Sequence, residues 1–165
     1  ALADSADVVV TMLADDPSSQ AVHGGTDGLF AGAARLFVEM GTMSPGHIAR
    51  LVADAPTGAR VIDAPVSGAT QAAADAQLLI MAGCTPEEAT PLAPLFDALG
   101  RKTLCLGSAG SGAVMKLAVN SLIHGLNQTL AEARKHPAAY PELVLTSSEK
   151  GDGIATLRAI IAGLD

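Results

Sequence analysis

The 165-residue chain reads as an α/β protein, a three-layer α/β/α, doubly wound domain around a mostly parallel sheet of about six strands. Two observations predict this class. Short β-branched runs alternate with longer stretches of helical period, as βαβ units require. Hydrophobic residues make up 49% of the chain, yet the only aromatic ones are Phe30, Phe37, Phe96 and Tyr140. The core is therefore built from Ala, Val, Leu, Ile and Met, which suits helices packed closely on a parallel sheet. Ten Lys and Arg against seventeen Asp and Glu leave a net charge of −7, which argues against a nucleic-acid partner. No apolar run reaches the ~20 residues of a bilayer span. The opening Ala1-Leu2-Ala3-Asp4-Ser5 lacks the basic region of a secretory signal. Cys84 and Cys105 read as packed thiols in a reducing compartment, so a cytoplasmic location is expected.

The elements follow in order. Val8-Val9-Val10-Thr11-Met12-Leu13 is a buried strand, stopped at Asp15-Asp16-Pro17, where Asp16 is expected to cap a short helix with Pro17 at its first position. After the loop Gly24-Gly25-Thr26-Asp27-Gly28, residues 36–40 form a second strand. Gly41-Thr42-Met43-Ser44-Pro45 supplies another cap and helix-starting Pro, leading to a helix that ends near Asp54. Residues 60–64 are a third strand and residues 77–82 a fourth. The fourth is expected to run antiparallel, because too few residues separate it from its predecessor for a helical crossover. Thr85-Pro86-Glu87-Glu88 is a capping box opening a helix to Leu99. Residues 102–106 are a further strand. Gly107-Ser108-Ala109-Gly110-Ser111-Gly112 then opens a helix of about twenty residues with an apolar stripe of Met115, Val119, Leu122, Leu126 and Leu130. Lys135-His136-Pro137 ends it. Residues 142–146 read as a last strand, and Ile154, Leu157, Ile160 and Ile161 as a last helix face.

Three places could carry chemistry. Lys116 and Asn120, at i and i+4, project from one helix face, where an ammonium beside an amide can protonate or polarise a carbonyl oxygen. The same spacing also describes a solvated lysine on an amphipathic helix. Ser67-Gly68 follows the third strand at its C-terminal end, where ligands bind in open α/β sheets, and a hydroxyl with turn amides can hold a carboxylate. An ordinary Pro/Gly turn has the same sequence. Gly110-x-Gly112 follows a strand and opens a helix, but Met115 stands where a dinucleotide fingerprint needs its third glycine, so it is rejected as a pyrophosphate loop. His23, His47, His124 and His136 show no metal-ligand spacing.

Four of these motifs, in order, resemble the β-hydroxyacid dehydrogenases, the family of 3-hydroxyisobutyrate and 6-phosphogluconate dehydrogenases, from about residue 4 to 132. Val10-Thr11-Met12-Leu13 is similar to the strand whose end packs on the nicotinamide. Gly41-Thr42-Met43-Ser44-Pro45 matches the Ser-Thr-x-Ser-Pro turn, with Thr42 approaching the cofactor. Asp63-Ala64-Pro65-Val66-Ser67-Gly68 matches the substrate-binding signature. Gly110-Ser111-Gly112 with Lys116 and Asn120 matches the catalytic helix. The resemblance implies a Rossmann-like fold, NAD or NADP as cofactor, Met12, Leu13 and Thr42 as cofactor contacts, and Ser67 and Gly68 as substrate contacts. It further implies Lys116 as general acid/base and Asn120 as a substrate ligand. The family's Gly-x-Gly-x-x-Gly unit, its NAD/NADP-selecting residue and its helical C-terminal domain have no counterpart here, and Ala69, Ala72 and Ala76 replace expected glycines.

From about Arg134 the pattern changes. Residues 135–154, with Thr146-Ser147-Ser148 placed like a guanine-contacting loop, resemble the terminal strand and helix of EngB-type ribosome-assembly GTPases. The phosphate loop, Mg²⁺ ligand and guanine-specificity motif of a GTPase are absent. The expectation is a chimera forming one domain over 1–165, dehydrogenase-like over 1–132 and GTPase-like over 133–165. Its expected function is that of a recombined or truncated dehydrogenase domain, natural or engineered, that is inactive as it stands and binds no cofactor tightly. The alternatives are an NAD(P)-dependent oxidoreductase of a small 3-hydroxy acid using Lys116, and a residual guanine-nucleotide module. No nucleic acid, membrane or metal is expected, and an exposed sheet edge could pair two copies.

Overall fold

The computed structural model describes residues 2–135 together with Ala155, Thr156 and Ala159. By packing, the chain divides into two compact units, Ala1–Leu122 and Ile123–Asp165. In the first unit, β1 (Val8–Thr11), β2 (Leu36–Glu39) and β3 (Arg60–Asp63) form a parallel sheet in the order β1-β2-β3. The crossovers carry α1 (Asp16–His23) and α2 (Pro45–Asp54). The chain then passes through Ala64 and Pro65 into β4 (Val66–Ser67), a short α3 (Thr70–Ala74) and β5 (Leu78–Ala82). β5 pairs antiparallel with β4 and parallel with β6 (Gly100–Cys105). The antiparallel turn agrees with the shortness of the connection. Two backbone hydrogen bonds join this sheet to the first: Gly83 N–H donates to the Asp63 carbonyl at 2.7 Å and Met81 N–H to the Pro65 carbonyl at 2.9 Å.

Alternation along the strands puts a core on each face. Val9, Phe37 and Val61 pack with Ile48 and Leu51 of α2, whereas Val38, Ile62 and Ile80 pack with Ala89, Leu92 and Phe96 on the opposite side. The unit is thus a three-layer Rossmann-like α/β/α sandwich.

Local chemistry differs from the sequence expectation in three places. The cap of α1 is Asp15, not Asp16: its side chain accepts the Ser18 N–H, and Pro17 sits inside the first turn. The helix expected from Thr85 to Leu99 is interrupted, running as α4 (Pro86–Ala89), a 3-10 turn Thr90–Leu92 and α5 (Ala93–Leu99). Pro91 and Pro94 each lack the N–H that a continuous α-helix needs. The third difference is in α6 (Ser111–Lys135), a helix of 25 residues. It is longer than the expected twenty or so, and in its stripe Met115, Leu122 and Leu126 are exposed, Leu122 at 75%, while Val119 and Leu130 are half-buried. The strand expected at 142–146 and the helix face expected at Ile154, Leu157, Ile160 and Ile161 lie outside the described residues.

Candidate active site

Each of the three parallel strands ends its apolar run on a polar residue, and register aligns them: Thr11 is opposite Glu39, and Glu39 opposite Asp63. All three are buried. Burial of a carboxylate requires hydrogen-bond donors around it. Glu39 accepts from the Thr11 hydroxyl at 2.9 Å, the Ser19 hydroxyl at 2.7 Å and the Gly41 N–H at 2.9 Å. Asp63 accepts the N–H groups of Gly110 at 2.6 Å and Ala113 at 2.7 Å, which fixes the start of α6 over the C-terminal end of β3.

Two glycines make that approach geometrically feasible. A Cβ on Gly83 would lie 2.1 Å from Asp63 Oδ1, and one on Gly112 would lie 2.2 Å from the Met81 carbonyl oxygen. The glycines around Asp63 are there for close packing.

The residues suggested by the sequence fall into three places. Met12 and Thr42 are exposed just beyond the adjoining ends of β1 and β2, with Leu13 half-buried beside them. The two loops touch, since a Cβ on Gly41 would stand 2.7 Å from the Leu13 carbonyl oxygen. Ser67 is half-buried on β4, opposite Leu79, and Gly68 is exposed with φ +145°. Lys116 and Asn120 are half-buried on α6, one and two turns past the Asp63 anchor. Among the described residues no hydrogen bond engages the side chains of Ser67, Lys116 or Asn120, and none links that pair to Ser67 or Thr42.

Carboxylates also sit at the helix starts. Asp15 caps α1. Asp16 accepts the Ser44 N–H at 2.9 Å and the Ser44 hydroxyl at 2.5 Å, at the N-cap of α2. Glu88 accepts the Thr85 N–H at 2.9 Å at α4, and Asp63 serves α6. Partial burial of Asp16 works against its charge, but the two Ser44 hydrogen bonds outweigh it and hold the carboxyl below its usual range. The Ser18 hydrogen bonds hold Asp15 low in the same way. Among the described residues the remaining starts belong to α3, of five residues, and α5, which grows directly out of a 3-10 turn. In the Gly110–Gly112 turn the Gly110 N–H donates to Asp63 and the Ser111 N–H to the Ser108 carbonyl.

Sequence reading placed Asp63 in the substrate-binding signature without its anchoring role, and missed Glu39 and the Asp16–Ser44 pair. A signal was present, because a polar residue closing each of three short apolar strands marks the ligand-facing edge of a parallel sheet. Among the described residues no group of His, Cys, Asp and Glu is arranged to hold a metal ion, and no helix is long and apolar enough to cross a membrane.

Comparison with known proteins adds the family. Residues 1–107 match the NAD binding domain of 6-phosphogluconate dehydrogenase. An NAD-dependent L-serine dehydrogenase of Pseudomonas aeruginosa is 40% identical over 134 residues, covering 78% of this chain and 44% of that protein. The solved structure of Mycobacterium tuberculosis 3-hydroxyisobutyrate dehydrogenase with L-serine superposes with a TM-score of 0.72 at 30% identity, covering 79% of this chain and 45% of the other. The chain therefore spans less than half the length of these relatives. A separate segment is 75% identical over 40 residues to a probable GTP-binding protein EngB from Ruegeria, covering 24% of this chain and 18% of that protein. Its NAD-binding domain places the chain in the β-hydroxyacid dehydrogenase family, with an EngB-like segment joined to it.

Proposed function

We propose that the chain is a chimera in which a β-hydroxyacid dehydrogenase domain is joined to a GTPase-derived terminal segment, and that these 165 residues neither hold a dinucleotide tightly nor turn over a hydroxy acid. One observation carries this reading. A dinucleotide pyrophosphate is bound by unsatisfied N–H groups at a helix start, and the starts of α1, α2, α4 and α6 already carry Asp15, Asp16, Glu88 and Asp63. A second anion there meets like charge and, at each start, at least one donor already engaged. The nicotinamide end fits better, because Met12 and Thr42 present an apolar and a hydroxyl side chain on adjoining loops.

The oxidoreductase reading is favoured by the Lys116–Asn120 pair on a helix anchored to the strand end. In it Met12, Leu13 and Thr42 would hold a nicotinamide, which would supply the hydride acceptor for a small 3-hydroxy acid. Lys116 takes the proton of the substrate hydroxyl, Asn120 orients the substrate, and Ser67 with the Gly68 backbone holds its carboxylate. The deciding assay follows NADH and NADPH formation from 3-hydroxyisobutyrate and L-serine. The proposal expects no turnover above the Lys116→Ala background. Turnover by the unmutated chain that Lys116→Ala removes, with the fold intact by circular dichroism, would establish the oxidoreductase reading instead. Self-association through an outer strand, β1 or β6, is a further part of the proposal, read by light scattering across concentration.

A further inference from the structure

Cys84 and Cys105 lie outside the site above. Ala82 and Cys105 are register partners across the parallel β5–β6 pair, and Cys84 stands two residues past Ala82 on the same face. The Gly107 N–H donates to the Cys84 carbonyl at 3.1 Å, so the two segments stay together beyond the last register pair. Cys84 is fully buried in the core under α4 and α5, whereas Cys105 is half-buried at its rim. Burial pushes the Cys84 thiol up to about 12, and the neighbouring Cys105 thiol adds to the shift. Cys105 opens into a cleft of about 260 Å³ lined by Ala89, Ala93, Phe96, Asp97 and Thr103.

We propose that the pair is a hydroperoxide-sensitive modification site, in which Cys105 is oxidised first and Cys84 resolves it to an internal disulfide. The Cys105 thiolate attacks the peroxide O–O bond, forming an S–O bond, and the distal oxygen leaves as hydroxide. The released hydroxide takes the Cys84 proton as water, and the resulting Cys84 thiolate displaces the sulfenic hydroxyl as hydroxide, forming the S–S bond. One peroxide is reduced and two thiols are oxidised. The order follows from access and protonation: the thiolate is the reactive form, and Cys84 is enclosed and held as the thiol. The two cysteines are diagonal neighbours on one face, Cys84 two residues beyond the register partner of Cys105, so forming the ~2.05 Å bond draws the Cys84 segment back along β6. The bridge would clamp the segment entering α4 to the end of β6.

The test treats the reduced chain with hydrogen peroxide and reads intact mass and tryptic peptides. The expected product has lost two hydrogen atoms and contains a Cys84–Cys105 cross-linked peptide. In native protein Cys105 should alkylate with iodoacetamide at least about tenfold faster than Cys84. In Cys84→Ala, Cys105 should accumulate as a sulfenic acid trapped by dimedone, while Cys105→Ser should leave Cys84 unoxidised. Mapping of the unmutated chain decides the question even where a variant folds poorly. Two thiols that stay alkylatable, bridges only between chains, or Cys105 driven to sulfinic acid beside a free Cys84 would each overturn the proposal.

Discussion

The Asp63 carboxylate accepts the Ala113 N–H at 2.7 Å, tying the end of β3 to the first turn of α6 across fifty residues of sequence. The same carboxylate accepts the Gly110 N–H. Removing it strands donors in a dry interior, at about 1–3 kcal/mol for each. Asp63→Ala should therefore lower the unfolding free energy by roughly 2–4 kcal/mol in urea titration. A loss below ~0.5 kcal/mol, the size of a surface substitution, would mean that the anchor is dispensable.

Gly83 and Asp63 should be energetically coupled. A methyl group on Gly83 would stand 2.1 Å from Asp63 Oδ1, a separation no real contact tolerates. Gly83→Ala is expected to be destabilising alone and much less so in an Asp63→Ala background, with a coupling of about 0.5–3 kcal/mol in a double-mutant cycle. Strict additivity of the two changes would contradict the geometry.

Ala76 occupies a position where the family pattern carries glycine, and it adopts φ +54°. A left-handed backbone costs an L-residue ~1–2 kcal/mol, while glycine pays more entropy in the unfolded chain. Ala76→Gly should stabilise the protein by up to ~1 kcal/mol, visible as a higher urea midpoint. Ala69 and Ala72, the other replaced glycines, have no such strain: Ala69 is extended at φ −82° and Ala72 lies within α3. The same change there should give no gain.

His47 is fully buried and, among the described residues, neither ring nitrogen has a hydrogen-bond partner. Burial pushes its protonation below the ordinary range. Asp16 and Glu39 pull it the other way, while Arg50 and His23 oppose protonation. The unfolded chain binds a proton at this residue near pH ~6.5, where the folded chain resists it. Below that pH the unfolded state holds more protons, so stability falls as the pH drops through this window. His47→Leu should flatten that slope in urea midpoints taken between pH 7.5 and 5.5. An unchanged slope would place the acid sensitivity elsewhere.

Much of the sandwich was legible because its signals are local. Ser44-Pro45 and the Thr85–Glu88 capping box open α2 and α4 where the sequence places them. The β-branched runs delimit β1 to β3 within a residue or two. What the sequence hid depends on long-range partners. Asp15 and Asp16 look interchangeable until Ser44, 28 residues away, captures Asp16 and leaves Asp15 to cap the helix. Glu39 reads as an ordinary charge, and Asp63 only as the first residue of a signature, until register aligns them in the interior. The α6 stripe has perfect helical spacing and still lies mostly exposed, because periodicity reports an amphipathic face and not what covers it.

Titration of the purified chain with NADH and NADPH, followed by nicotinamide fluorescence and calorimetry, tests the central claim most directly. Helix starts already holding Asp15, Asp16, Glu88 and Asp63 predict no saturable binding up to millimolar cofactor. Saturable micromolar binding of either dinucleotide, lost on heat unfolding, would contradict it.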